Sequence, residues 1–421
     1  MKYWNVDFNK DYINQPGVKP MDNITPETDD EKAVNTVKDF LSDYCRTCCR
    51  EANDYMKYPY VVPGAVYNDL WDWDSFIMSC AITDEYIEYA KGSIQNLING
   101  NDAESGKPTK KYSTEDTPDN SMHPYPLQAQ FAYVIAKRMN DFSWIEPNFE
   151  KLKSGVNWFE KNTMKNGLFV WMSLYGNGID NNPAVYGRGP MSSAGIDLAA
   201  FHYREYKTME KLCEIFEPNL KNTYAEKADN LLFNIQNRYF DWADKMFYNV
   251  DCYTDYEQIT NQNVTWSTFL KFKNCASLFS LWGGVATKEQ AGFMRDIIMD
   301  ENEFLSCAGI RTHSKNDMCY NNVAMGNPSN WQGPVWGLST FITAYGLARY
   351  GYKKEALEVA LRLIKTFAAD IKKNGCMHEC YNGDTGQPLM KPGFVSWNML
   401  ACKIIDDIKN NRDCTTFDIL D

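Results

Sequence analysis

The sequence predicts an all-α protein, a closed (α/α)6 barrel: a toroid of six helical hairpins in two concentric rings. Three observations carry this. Apolar residues recur at helical spacing in twelve segments of the 421-residue chain. Consecutive segments meet across tight turns, at Pro218 and at Gly351-Tyr352, which makes neighbours antiparallel. The hairpins succeed one another every roughly 60 residues. An open solenoid is the competing arrangement, but its repeats are alike and capped, and these are not.

Residues 1–29 carry Pro16, Pro20 and Pro26 with little periodicity, and read as an extended arm on the body formed by residues 30–421. From Asp30, the spacing of Ala33, Val37, Phe40, Leu41 and Tyr44 predicts a helix to about Lys57. A loop with Pro63 and Gly64 then feeds a helix over 72–81, and Thr83-Asp84 caps the next, to Ile98. Residues 100–122 are polar and form a long loop, a kind of segment that is more often functional than not. Helices follow at about 125–140, 144–163, 190–217, 218–238, 267–283, 287–299, 331–351, 352–372 and 392–410. Strands are few, short ones near 168–172 and 247–250 at most.

No Pro/Ser/Gly-rich linker or charge block divides the chain, so it reads as one large domain behind the arm. A net charge of −12 without basic clusters excludes nucleic acid and anionic membrane as partners. No apolar run approaches a membrane span, and the N-terminus lacks the apolar core of a signal peptide. The thirteen cysteines follow no zinc spacing and read as reduced thiols of a cytoplasmic protein. Four histidines are too few for a His-rich metal site, and H-E-x-x-H, P-loop and G-x-G-x-x-G motifs are missing, so no metal or cofactor is expected. No G-x-S-x-G elbow occurs either.

The 12 Trp, 26 Tyr and 22 Phe are the informative surplus. Aromatic rings fill cores, but next to carboxylates they also suit sugars, whose apolar faces stack on rings while hydroxyls bond to Asp, Asn and Gln. Four stretches place Trp, Gly or Pro beside a carboxylate or amide and break the helical rhythm. In Tyr67–Phe76, Trp71, Trp73 and Asp74 open a helix, and Asp72 or Asp74 alternatively serves its N-terminus electrostatically. In Trp171–Pro183, Asp180 follows Gly176 and Gly178, which let a ligand approach the backbone; a helix cap or Asx-turn by Asp180-Asn181 is the alternative. Residues 327–336 set Trp331 and Trp336 around Gln332-Gly333-Pro334. Residues 377–386 hold Glu379 ahead of a D-T-G turn, where a surface charge is the plainer reading. Together they supply the two carboxylates an inverting glycosidase needs, one to protonate the leaving oxygen and one to deprotonate water at roughly 6.5–9.5 Å separation.

These residues resemble glycoside hydrolase family 63, in particular its small bacterial branch similar to mannosylglycerate hydrolase. The resemblance covers about residues 58–405. W-D-W-D-S-F at 71–76 is similar to the family's W-x-W-D-S-F, and G-I-D-N-N-P at 178–183 to G-x-D-N-S-P. N-W-Q-G-P-V-W at 330–336 resembles Y-W-R-G-P-x-W, and H-E-C-Y-N-G-D-T-G at 378–386 resembles E-x-Y-x-x-x-T-G. The resemblance implies an (α/α)6 barrel, no metal or cofactor, and inversion, with Asp180 as general acid and Glu379 as general base. It also implies that Tyr67, Trp71, Asp74, Gly178, Trp331 and Trp336 line a pocket for a small carbohydrate, an α-linked glucoside or mannoside. Trp73, Asn181 and Gly333 join them as neighbours within the motifs. Trp171 and Tyr175 are expected as an apolar wall for Asp180, and His378 with Asn382 as polar surroundings for Glu379. Three departures, Gln332 for Arg, Asn182 for Ser and His123-Pro124-Tyr125 for Gln-Pro-Pro, bear on subsite contacts, so Gln332 and His123 count as substrate-binding candidates. A non-catalytic sugar-binding shell or structural helical scaffold is one other reading; a sugar lyase or epimerase, which needs histidine or tyrosine bases lining the pocket with His202, His123 and His378 as the histidine candidates, is another.

Overall fold

A computed structural model describes residues 23–113, 118–119, 121–172, 176–252, 268–323 and 329–420. Twelve α-helices occur among them: α1 Asp30–Tyr44, α2 Asp72–Ala81, α3 Ile87–Asn99, α4 Gln128–Met139, α5 Phe149–Thr163 and α6 Ile196–Phe216, then α7 Lys221–Arg238, α8 Phe279–Trp282, α9 Lys288–Ile298, α10 Gly337–Arg349, α11 Lys353–Asn374 and α12 Ile404–Lys409. They form an (α/α)6 barrel. The inner ring runs α2, α4, α6, α8, α10 and a 3-10 turn at Ser396–Cys402; each packs on the next, and the turn packs back on α2. Outside, α11 packs against α1 and closes the second ring.

Composition explains which helix goes where. Every residue of α2 is buried, as is α10 from Gly337 to Leu347, so these helices are enclosed on all sides. In α11 the buried residues recur as Ala356, Val359, Ala360, Leu363, Ile364 and Phe367, one face only. Asp29 caps α1 by accepting from the Lys32 amide, and Thr287 with Gln290 forms a capping box on α9. No helix among the described residues is long and apolar enough to cross a membrane.

Several expected boundaries move. The first helix ends at Tyr44, and a 3-10 turn and a short strand follow where helix was expected to about Lys57. The stretches expected as helix from 190, 331 and 392 begin with loop or strand, because Gly195, Trp336 and Val395 stand as the last residues before the helical turns. Expected helix 267–283 is a strand at Thr268–Leu270 and helical only from Cys275. Short strands are also far more frequent than expected, pairing in ladders of two to five residues between loops at the helix ends. Such ladders are too short to leave a period-two pattern in the sequence. Two of these sheets position the site. Leu70–Trp71 (β1) pairs with Lys111–Tyr112 (β2), and Val335–Trp336 (β3) pairs with His378–Tyr381 (β4), which pairs with Pro388–Pro392 (β5).

Of the N-terminal arm, residues 1–22 lie outside the described residues; Ile24 exchanges hydrogen bonds with Gln387.

Candidate active site

A cavity of about 390 Å³ opens where the inner helices begin. Its lining comes from the residues that lead into or open those helices. Asp74 stands in the first turn of α2, Met122 precedes α4, Asp180 and Tyr186 precede α6, Trp331 and Trp336 precede α10, and Phe394 and Trp397 flank the start of the 396–402 turn. Helix N-termini carry partial positive charge and so favour carboxylates at this end.

The wall is aromatic. Trp331 and Trp336 stack with centroids 4.1 Å apart, and Trp73 and Trp397 close on them at 5.9 and 5.8 Å respectively. Tyr125 stacks behind Trp73 at 5.0 Å. Gly178 lies flat on the Trp73 indole with φ +68°, a position where a Cβ would overlap the ring. Gly176, at φ +106°, likewise passes the His123 backbone too closely for a side chain.

Three carboxylates face this cavity, each beside one hydroxyl. Tyr67 donates to Glu379 with its oxygen 3.0 and 3.1 Å from the two carboxylate oxygens. Ser396 donates to Asp74 at 2.8 Å, and Ser329 bonds Asp180. Burial pushes the Glu379 carboxyl up to about 8; the Tyr67 bonds oppose this and the Asp180 charge adds to it. Burial likewise raises Asp74 to about 7. Asp180 presents its side chain to the open cavity, yet surrounding protein still desolvates it enough to raise its pKa, against the Ser329 bond and the Lys110 charge. Of the pair, Glu379 is the more enclosed and holds a shared proton more firmly in the free protein. Tyr67 itself stays protonated, raised well above 10 by burial and by Glu379.

Glu379 reaches the cavity through a β-bulge. The register between β4 and β5 shifts between His378 and Cys380, and such a bulge re-aims a side chain. Behind it, His378 and Tyr381 point the other way, onto Asp370 of α11 at 2.7 and 2.6 Å. His378 therefore does not face Glu379, contrary to expectation, and Asn382 is occupied in its own turn, accepting from the Asp384 and Thr385 amides. Tyr67 is the polar partner instead.

Tyr67, Trp71, Trp73, Asp74, Gly178, Asp180, Trp331, Trp336 and Glu379 all line the cavity. Six other substrate-binding candidates do not. His123 is buried behind the wall, accepting from the Met172 amide at 3.0 Å and packed on Trp171. Trp171 is buried between His123 and Tyr125. Asn181 and Gln332 are used up joining two loops: the Trp331 amide donates to Asn181 Oδ1 at 2.7 Å and Gln332 Nε2 to the Asn181 carbonyl at 3.0 Å. Gly333 packs against the Asn321 backbone, and His378 faces Asp370. Tyr175 lies outside the described residues. His202, stacked 3.4 Å from Phe169, is buried away from the cavity, so no histidine lines it among the described residues.

Sequence reasoning missed Pro63, Lys110, Met122, Tyr186, Ser329, Phe394 and Trp397. Trp397 had a signal: P-G-F-V-S-W breaks the helical rhythm as the other aromatic stretches do. Lys110 had none. It is buried and paired with Asp72 at 2.9 Å. Asp72 in turn accepts from the amides of Trp73 and Tyr125, which makes it, and not Asp74, the carboxylate that serves the helix start.

Two other features lie apart from this cavity. A larger cleft of about 870 Å³ opens at the opposite ends of α2 and α10. Its charges are internally paired, as in Lys38–Asp406 at 2.6 Å and Arg349–Asp413 at 3.3 Å. His313, Asp317 and Cys319 bring potential metal-ligand atoms within 4.8 Å of one another. Asp317 already accepts from the amides of Lys273 and Cys319 and pairs with His313 at 3.0 Å, a structural knot.

Comparison with known proteins agrees with this architecture. The mannosylglycerate hydrolase of Thermus thermophilus, a family 63 glycoside hydrolase solved with glucose, superposes with a TM-score of 0.65 at 16% identity, over 88% of this chain and 98% of that one. Neutral trehalase Nth1 of Saccharomyces cerevisiae superposes with a TM-score of 0.59 at 16% identity, over 90% of this chain and 82% of that one. The uncharacterized protein YMR196W of S. cerevisiae is 26% identical over 185 residues, a match spanning 30% of this chain and 17% of that protein's length. The family model for the mannosylglycerate hydrolase MGH1-like glycoside hydrolase domain matches residues 67–397, and the chain belongs to that family as a glycoside hydrolase.

Proposed function

We propose that this enzyme hydrolyses an α-linked glucoside or mannoside from its non-reducing end with inversion, Asp180 acting as general acid and Glu379 as general base. The observation that carries the reading is the meeting of these two carboxylates, from loops far apart in sequence, in one tryptophan-walled cavity. In the reaction the bond between the anomeric carbon and the glycosidic oxygen breaks, and the leaving oxygen takes the Asp180 proton. A water oxygen bonds the anomeric carbon from the opposite face and gives its proton to Glu379. Asp74, held by Ser396 among Trp73 and Trp397, is placed to accept hydrogen bonds from ring hydroxyls.

The raised Asp180 suits the acid, whereas Glu379, raised to about 8, must release its proton before it acts as base. A general acid must hold its proton at working pH, and burial raises Asp180 toward that. A base works best near the operating pH, and the Tyr67 bonds favour the ionised form of Glu379. A lyase or epimerase has less support, because the histidine candidates are behind the wall or facing Asp370, and Tyr67, in the lining, keeps its proton and donates a hydrogen bond to Glu379.

The test is the first-formed anomer. An α-glycoside should release the β-sugar first, read by proton NMR before mutarotation; the α-sugar first overturns the inverting assignment. Asp180→Asn and Glu379→Gln should each lower kcat by about a hundredfold or more. Asp180→Asn should recover on a glycosyl fluoride, whose leaving group needs little protonic help; equal loss on both substrates removes Asp180 as the acid.

A further inference from the structure

We infer that the leaving group accepted at the cavity mouth is an uncharged ring, a second sugar, and that glycosides of acids are disfavoured; this rests on the hydrolase reading above and names its substrate class. The depth of the cavity separates two regions. Trp73, Trp331, Trp336, Trp397 and Phe394 are buried and enclose the carboxylates. Tyr186, 50% exposed, and the half-buried Trp71 and Met122 form the rim. A general acid must contact the leaving oxygen, so the group beyond that oxygen projects past Asp180 toward this rim. What the described rim residues Tyr186, Trp71 and Met122 offer is apolar surface and ring faces, which suit the C–H face of a pyranose.

Charge points the same way. Asp74, Asp180 and Glu379 all line the cavity. Among the described lining residues the single cation is Lys110, whose ammonium lies beneath the wall, 2.9 Å from Asp72, with the Tyr125 ring 4.5 Å away. The next cations outward are engaged as well. Lys111 pairs with Asp69 at 2.6 Å and covers Trp71 at 4.9 Å, and Arg188 pairs with Asp251 at 2.9 Å. Lys391 acts on Glu379 from outside the lining. Of the segments outside the described residues, 114–117, 173–175, 253–267 and 324–328 contain no lysine or arginine, and residues 1–22 hold Lys2, Lys10 and Lys19. A carboxylate on the leaving group would thus meet a lining of three carboxyls whose one cation among the described residues, Lys110, is already paired with Asp72, and juxtaposed like charges are strongly disfavoured. The similar T. thermophilus mannosylglycerate hydrolase has been solved with D-glycerate, so the distinction separates this chain from that substrate type.

A matched pair of substrates isolates the charge. The kcat/KM of the purified protein is measured on α-glucosylglycerol against α-glucosylglycerate, on their mannosyl counterparts, and on α-linked disaccharides of glucose and mannose. The neutral member should exceed the acid by tenfold or more, with disaccharides best. Tyr186→Ala should cost the disaccharides about tenfold through lost ring contact and a glycosyl fluoride clearly less. Equal or better use of the glycerates overturns the inference, as does an equal loss on fluoride and disaccharide. If nothing is turned over, the hydrolase assignment has failed by itself. Tryptophan-fluorescence titration of the wild-type protein with the same glycosides then reads the same ranking, and preferential glycerate binding overturns it.

Discussion

The hydroxyl of Tyr67 lies 3.0 Å from one oxygen of Glu379 and 3.1 Å from the other. It is the only hydroxyl set so evenly against a cavity carboxylate among the described residues, and it ties the loop ahead of α2 to the bulged strand β4. A donor shared between both oxygens favours the charged form of a carboxylate that burial pushes toward neutrality.

Removing that donor has a defined sign. Tyr67→Phe should raise the Glu379 pKa further and lower kcat/KM at neutral pH by about ten- to a hundredfold, the range for a lost hydrogen bond to a charged group. The alkaline limb of the pH profile should move upward. A drop in activity with an unmoved limb would mean that Tyr67 only shapes the cavity.

The profile of the wild-type enzyme follows from a carboxyl pair that must carry one proton. Asp180 is raised above the ordinary aspartate value and Glu379 to about 8. Activity should therefore be bell-shaped, falling above about pH 8 as the pair loses its proton. On the acid side it should fall as the pair gains a second proton. Full kcat/KM retained at pH 10 would contradict the shared-proton picture.

Gly178 tests the wall. Its φ of +68° disfavours any side chain, and a Cβ would overlap Trp73. Gly178→Ala should displace the indole, lower stability by about 1–3 kcal/mol and reduce kcat/KM by tenfold or more. Denaturant melts and kinetics measure both, and a variant with wild-type values for each would show that the loop moves freely off the ring.

Stability should depend on pH in an unusual direction. Burial raises Asp74, Asp197 and Glu205 each to about 7 and Glu379 to about 8. Between the ordinary carboxylate range and these values the folded protein holds protons that the unfolded chain has released. Stability is then fully present at the low end of that window and is lost as pH rises through these values. Carboxylates held low, such as Asp317 at about 2, lose their contribution only below the window, but His123 and His202, which burial holds well below 6.5, lose theirs as pH falls through 6.5 and oppose the trend there. Tm should fall by several degrees from pH 6.5 to pH 8, by calorimetry; a Tm that rises over that range would contradict the buried neutral carboxyls.

The sequence by itself determined the barrel. Helical spacing of apolar residues is dictated by burial of one face, and segments with no charge beyond their end turns, such as α2 and α10, have nowhere to go but an inner ring. It also marked the loops of the site, since a run of Trp, Gly and Pro cannot continue a helix. What only the tertiary structure decided is which residues in those loops face the cavity. Asn181 and Asp180 are adjacent, yet one joins loops and the other enters the open volume, because hydrogen bonds from the Trp331 and Gln332 loop claim the first. His378 and Glu379 diverge for a related reason: a bulge in strand pairing turns Glu379 inward while Asp370, on an outer helix, captures His378. Lys110 and Tyr186 gained their places from strand and turn contacts with no periodic signature. Protonation was hidden in the same way. A carboxylate's pKa follows from the atoms packed around it, and for Glu379 those come from α2's entry loop, the Asp180 loop and β5, which meet only when the double ring closes.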